Sequence, residues 1–366
     1  MANLEQQTPP PKKKVWRFVI LLIVLGLAVN LLLPQISNLT EALKVVQKMT
    51  WWAVGLAAVA EAISYLSYGY CINAIVKSRK EHLPVPKATL MVMSAMSIGL
   101  VAGGWVTQAG SIFGSVKRET GDNNTATITG LLPSMLSNMS IAFVAIVGLV
   151  YLAIIGQLSN SQLIQYVVFL FLLTIITFGS LLALVFPKPT FKAVNWALWH
   201  WNKWRKKPYD PQQTRDMLNN VIFSWKEMSR GNWKKPLLGA FGYTLFDLLA
   251  MYLIFIAAGY QIKLGVLFAG YGLPYLLSKI AFIFPGGIGV VEASMAAIQT
   301  SLGVPSEISV VVILAYRLLC FWLPTLFGFA ATGFLNHSRT AAATTKPELP
   351  AFSSADPVTA DPKPQQ

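Results

Sequence analysis

Charge is scarce in this chain. Only 12% of its 366 residues are Asp, Glu, Lys or Arg, and the mean hydropathy is +0.54, a balance that excludes an ordinary water-soluble globule. Histidine is nearly missing. His82, His200 and His337 are scattered over loops and form no set with a Cys or a carboxylate, so neither a metal site nor a histidine-based catalytic constellation can be read from them. The two cysteines, Cys71 and Cys320, lie in apolar stretches and imply no disulfide framework. Acids number 15 against 29 Lys and Arg, and no cluster of Asp or Glu stands in the loops. No cofactor is therefore expected, and the chain is not read as an enzyme.

What the sequence has in quantity is apolar length. Runs at 15–33, 49–76, 125–155, 163–186, 237–260 and 308–335 reach the ~20 residues needed to cross a ~30 Å hydrocarbon layer. Two more, 88–111 and 264–302, are apolar but interrupted by glycine. The expected fold is an all-α polytopic membrane protein with about six full transmembrane helices and two Gly-broken re-entrant segments. Residues 1–14 and 336–366 carry too little apolar content to fold and are expected to be disordered. The membrane domain would then cover 15–335, with 15–33 as an uncleaved first helix, since Leu33-Pro34-Gln35-Ile36-Ser37 offers no small-x-small cleavage pattern.

Lys and Arg in short loops mark the cytoplasmic side. The basic loops are 12–17, 77–87 and 187–236, the last with eleven Lys or Arg against three acids. This placement accounts for the net charge of +14 through topology, and a nucleic-acid partner is not expected. For both 77–87 and Lys117-Arg118 to lie inside, 88–111 must begin and end on one face, turning at Gly99, Gly103 and Gly104. The same parity sends 264–302 in and back, with Pro285-Gly286-Gly287 as its turn. Both termini are then cytoplasmic in a multi-pass protein of the inner, plasma membrane.

Each half now reads as an acid-bearing helix, a broken pair and a long helix, in opposite orientation: repeat A over about 49–155 and repeat B over about 237–335. Glu61 and Asp247 lie 186 positions apart, Gly103-Gly104 and Gly286-Gly287 lie 183 apart, and Gly121 and Gly303 lie 182 apart. Inverted repeats with broken helices at their interface are a transporter design.

The second turn reads Phe284-Pro285-Gly286-Gly287-Ile288-Gly289-Val290-Val291-Glu292. Non-helical backbone at membrane depth survives only where protein or water satisfies its N–H and C=O groups, so it points to a binding site. A half-helix opening there would direct free N–H groups and a positive dipole end into the bundle, which suits a lipid phosphate. Arg317, mid-span in 308–335, can offer a planar fork to the same group, and Glu292 can satisfy the first turn, pair with Arg317, or both. The expected substrate-binding residues are Gly286, Gly287, Gly289, Glu292 and Arg317. A carboxylate in mid-membrane is costly unless neutralised or paired. Glu61 and Asp247 are accordingly read either as a proton or cation coupling pair or as groups that hold the turns, with Lys279 as a possible counter-ion.

The run Pro285-Gly286-Gly287-Ile288-Gly289-Val290-Val291-Glu292, followed by Leu302-Gly303 and Arg317, resembles the second-half signature of a flippase-like membrane family. That family is named after the transmembrane region of lysylphosphatidylglycerol synthase, the multiple peptide resistance factor. The resemblance implies a helical domain that handles lipids or lipid-linked intermediates, in some relatives fused to an aminoacyl-transferase domain. Here a disordered tail is expected in its place. The first half departs from the pattern. Ala102-Gly103-Gly104-Trp105-Val106-Thr107 stands where relatives carry Pro-Gly-Arg-x-Gly-Glu, and Pro133-Ser134 stands where they carry a Glu-Arg pair.

Loop 187–236 combines Trp196, Trp199, Trp201 and Trp204 with Lys203, Arg205, Lys206 and Lys207, the mix of a segment lying at a membrane surface. Met217, Val221, Trp225 and Met228 suggest a second interfacial helix. The resulting expectation is an integral membrane protein that binds and translocates an anionic phospholipid or a polyprenyl-phosphate-linked lipid, with membrane lipids as its partners. A membrane-embedded transferase using a lipid-linked donor, or a non-catalytic scaffold, are the alternatives.

Overall fold

A computed structural model describes residues 44–102, 104–156, 186–204, 233–280 and 288–332, with isolated positions between 158 and 171 and between 211 and 222. The expected first helix 15–33, most of 163–186, the second interfacial helix and both tails lie outside the described residues, as do Gly103, Gly286 and Gly287. The described residues contain helices and no strand. In chain order these are α1 (Trp51–Ser78), α2 (Val85–Ala102), α3 (Gly104–Thr120), α4 (Asn123–Ile154), α5 (Pro187–Trp204), α6 (Lys234–Ala257), α7 (Leu264–Ile280), α8 (Val290–Ser301) and α9 (Ser306–Arg317). A π-helical turn, Leu318–Trp322, carries α9 on to Thr332.

Among the described residues, Asn123–Ile154, Lys234–Ala257 and Ser306–Thr332 are long and apolar enough to cross a membrane, as expected of a multi-pass integral membrane protein. Helix α1 is as long but more polar, and it shows why membrane helices need no water-facing stripe. Its exposed side is Trp51, Trp52, Leu56, Val59, Ile63 and Leu66, whereas its buried side holds Ala53, Ala57, Ala60, Glu61 and Ser64. Over Trp51–Ser64 small and polar residues turn inward and large apolar ones outward, the arrangement that lets helix backbones approach in lipid, whereas farther along Tyr65, Tyr68, Ile72, Ile75 and Val76 are buried.

α1 and α6 form the central pair and run antiparallel. Thr50 N–H donates to Ala257 C=O (2.9 Å) at one end, and Ser64 Oγ donates to Tyr243 C=O (2.9 Å) farther along. Gly239 lies against the backbone of Ser67 and Cys71, where an added Cβ would come within 2.7 Å of Cys71 N. Only glycine permits that approach. The register brings Glu61 level with Asp247.

Two helical hairpins flank this pair. α2 packs on α3, and Lys87 near the start of α2 binds Glu119 at the end of α3 (2.6 Å). α7 packs on α8, and Tyr260 before α7 donates to Gly303 C=O after α8 (3.5 Å). In both, the ends remote from the glycine interruption meet; of the expected turn positions, Gly99 lies inside α2, and the break falls between Ala102 and Gly104. Each hairpin also reaches helices of the other half of the sequence. Ala145 and Gly148 of α4 receive Gly272 and Phe268 of α7, while Ser97 of α2 donates to Thr325 C=O beyond the π turn (2.6 Å) and Ser94 bonds Thr332 (2.6 Å). Helix α5 exposes Trp196, Trp199, Lys188, Lys192 and Lys203, with Lys203 Nζ 4.8 Å from the ring centre of Trp199, in keeping with its reading as a surface helix.

Candidate functional site

The polar residues that the sequence places in apolar helices converge where α1, α6, α7, α8 and α9 meet. Glu61, Asp247, Glu292 and Arg317 are all buried, at 4%, 2%, 7% and 3% exposure; desolvation on that scale requires each charge to be paired or neutralised.

Arg317 and Glu292 are paired. Arg317 Nε donates to Glu292 Oε1 (2.5 Å), and the guanidinium carbon sits 4.2 Å from the ring centre of Phe321, one turn on. The other carboxylate oxygen, Glu292 Oε2, accepts the backbone N–H of Gly289 (2.8 Å). Glu292 thus reaches back to the residue that opens α8, as an acid in a first helical turn does. Gly289 has φ +82°, a left-handed conformation in which a Cβ would be strained. Of the five expected substrate-binding residues, Gly289, Glu292 and Arg317 are thereby brought together, while Gly286 and Gly287 lie outside the described residues.

Asp247 is the centre of a second cluster. Its two oxygens accept separate tyrosine hydroxyls, Tyr316 at Oδ1 (2.6 Å) and Tyr271 at Oδ2 (2.8 Å). Tyr316 also bonds the hydroxyl of Tyr275 (2.8 Å). The α1–α6 register sets Glu61 beside Asp247, with both side chains buried, and among the described residues the buried Glu61 Oε2 meets no hydrogen-bond donor. Glu61 and Asp247, matched by offset along the sequence, are thus direct neighbours. Tyr65, one turn from Glu61, donates to Cys320 C=O (2.7 Å) inside the π turn. A π turn breaks the regular ladder of helical hydrogen bonds and recurs at functional sites. The side chain of Lys279 lies outside the described residues.

The tyrosines and the π turn are not apparent from the sequence. Tyr271 and Tyr275 sit one helical turn apart around Pro274 in an otherwise apolar helix, and Tyr316 immediately precedes Arg317. These spacings are the only available signals, and each reads equally well as packing.

The sequence model described as the lysylphosphatidylglycerol synthase TM region matches residues 15–328. Over shorter stretches the chain is similar to archaeal proteins named as UPF0104 membrane proteins. One from Methanothermobacter thermautotrophicus is 31% identical over 94 residues, 26% of this chain and 28% of the relative. One from Pyrococcus horikoshii is 35% identical over 89 residues, 22% and 24% of the two chains. One from Methanocaldococcus jannaschii is 31% identical over 87 residues, 24% and 26%. These matches span about a quarter of each relative's length. The family model, by contrast, takes in both hairpins, the central pair and the Arg317 site, and this multi-pass membrane chain belongs to the family of the lysylphosphatidylglycerol synthase transmembrane region.

Proposed function

We propose that this protein binds a lipid with an anionic phosphate headgroup, an anionic phospholipid or a polyprenyl-phosphate-linked lipid, and moves it across the inner, plasma membrane without chemically altering it. The observation that carries this reading is the buried Arg317–Glu292 pair at the opening of α8. Arg317 already spends one donor on a carboxylate, and a phosphate is the ligand that can compete for the same fork while gaining the helix dipole. Displacement of Glu292 would then be part of binding. Membrane lipids are the partners in this reading, and nucleic acid is not one.

The antiparallel α1–α6 pair and the two flanking hairpins support an inverted repeat, the arrangement in which two halves rock about a midplane site. The basic loops favour cytoplasmic termini.

The decisive experiment combines native mass spectrometry for co-purified lipid with transbilayer movement of NBD-labelled phosphatidylglycerol in proteoliposomes. The Arg317→Lys variant keeps the charge but not the planar fork. It is expected to fold, to lose co-purified lipid and to transport slowly. Native levels of both in Arg317→Lys would remove Arg317 from recognition.

A further inference from the structure

A buried carboxyl persists either as a carboxylate held by donors or as a neutral acid, and the surroundings of Glu61 and Asp247 separate the two states. Both Asp247 oxygens are acceptors of tyrosine O–H groups, from Tyr316 at 2.6 Å and Tyr271 at 2.8 Å. Those bonds suit a carboxylate, not an acid. Glu61 has the opposite surroundings: it is buried, lies level with Asp247 in the α1–α6 register, and among the described residues offers Oε2 to no donor. Among the described residues, the other titratable groups near the pair are Tyr65 on α1, Tyr243 on α6, Cys320 in the π turn and Arg317 on α9. Arg317 is engaged by Glu292.

We propose that Glu61 and Asp247 form a one-proton site, with the proton resident on Glu61, and that Tyr316 and Tyr275 are the hydroxyl chain through which it is loaded and emptied. Each hydroxyl carries one hydrogen. Because Tyr316 O–H is given to Asp247 Oδ1, the 2.8 Å contact between Tyr275 and Tyr316 must be donated by Tyr275. The chain is therefore already ordered toward the carboxyls.

In loading, Tyr275 oxygen takes a proton from hydronium, which leaves as water, while its own proton passes to Tyr316 oxygen. The Tyr316 proton passes in turn to Asp247 Oδ1, the resulting acid gives its hydrogen to Glu61, and the two hydroxyls then rotate back to the order seen here. Emptying is the reverse. Every O–H bond broken is matched by one formed, and nothing is oxidised. Tyr275 is the partly exposed member of the chain, whereas Tyr316 and Asp247 are fully buried. The existence of the site does not depend on lipid transport. Its use as a coupling device rests on the lipid-translocating reading, since Tyr316 and Arg317 are consecutive residues joining the proton site to the anion site.

Infrared spectroscopy of the full chain in liposomes tests the site without any substrate. At neutral pH the native protein should show a protonated-carboxyl C=O band that shifts when glutamate is carbon-13 labelled, does not shift when aspartate is labelled, and is lost in Glu61→Gln. On transfer to heavy water, the band should deuterate severalfold more slowly in Tyr316→Phe and Tyr275→Phe than in the native protein. Labelling needs no variant, so a folding defect in Glu61→Gln leaves the assignment testable. Absence of the band, or its response to aspartate instead of glutamate, overturns the resident proton on Glu61. Unchanged exchange in both Tyr variants overturns the relay. A band that behaves as stated alongside absent lipid movement leaves the proton site standing and removes only the transport reading.

Discussion

Tyr316 and Arg317 are adjacent in sequence yet serve two different carboxylates. Tyr316 gives its hydroxyl to Asp247 at 2.6 Å, and Arg317 gives its guanidinium to Glu292 at 2.5 Å. Successive helical residues point about 100° apart, so two adjacent positions on α9 address α6 and α8 at once. Any rotation of α9 must loosen one contact or the other.

The ion pair should behave as a unit. Removing one partner leaves a buried charge unmatched, and such breaks cost about 3–5 kcal/mol. Glu292→Gln and Arg317→Met should each lower the thermal midpoint in detergent substantially, with the double variant less destabilised than their sum. Additive losses would mean that the two groups are independently solvated.

The closest approach of α1 and α6 should tolerate no methyl group. Gly239→Ala would place a carbon against the backbone of Ser67 and Cys71, and overpacking of this kind costs about 1–3 kcal/mol. Gly55→Ala on the exposed side of α1, with nothing within 4 Å of the added carbon, is the control and should be neutral or slightly stabilising. Equal melting of the two variants would contradict the observed packing.

Asp122 caps α4 by accepting the N–H groups of Asn124 (3.0 Å) and Thr125 (2.9 Å) and the hydroxyl of Thr125 (2.6 Å). Partial burial pushes this carboxyl up, but those bonds together with Arg79 hold it below its ordinary value. A depressed folded-state value means that the stabilisation is present above the unfolded carboxylate range and is lost as pH falls through the folded one. Asp122→Ala should cost about 1 kcal/mol at neutral pH, and the deficit should shrink on acidification. Melting curves across pH check both statements; a deficit that grows at low pH would be the wrong sign.

Membrane sidedness can be read with single cysteines at Ser115 and Ser301 in a variant lacking Cys71 and Cys320. Ser115 lies near the end of α3 and Ser301 at the end of α8, the outer ends of the two hairpins. Ser115 should label only from the cytoplasm and Ser301 only from outside. Labelling of both from one side would remove the inverted arrangement.

Coupling predicts a separation of binding from drive. Asp247→Asn and Glu61→Gln should retain co-purified lipid while movement of NBD-labelled phosphatidylglycerol loses its response to an imposed pH gradient. A gradient response persisting in the double variant would rule out these carboxyls as the coupling groups.

The helices were legible because apolar length is a strong signal: 125–155, 237–260 and 308–335 reappear as Asn123–Ile154, Lys234–Ala257 and Ser306–Thr332. Glycine interruptions anticipated hairpins whose ends meet, as Lys87–Glu119 and Tyr260–Gly303 show. An acid at the first turn of a half-helix and an arginine in the next span suggested the pair that Glu292 and Arg317 form. The shell around Asp247 was not legible. Its bonds join residues 24 and 69 positions apart, distances that only tertiary packing closes, and a tyrosine in an apolar helix carries no mark of what its hydroxyl will meet. The π turn likewise has no compositional signature.

That turn has a geometric effect on the whole last helix. A π turn holds one residue more than the regular spiral, so the segment after Trp322 is set out of phase with Ser306–Arg317 by roughly one residue's rotation, about 100°. The first segment can aim Tyr316 and Arg317 at the buried carboxyls while the second presents Thr325, Gly328 and Thr332 to Ser97, Met93 and Ser94 of α2. With an unbroken spiral, one of those two faces would be misdirected. The extra residue therefore acts as an angular offset that lets one helix serve two independent interfaces, and deleting a single residue between Leu318 and Trp322 should uncouple the first hairpin from the carboxyl site without touching a residue of either.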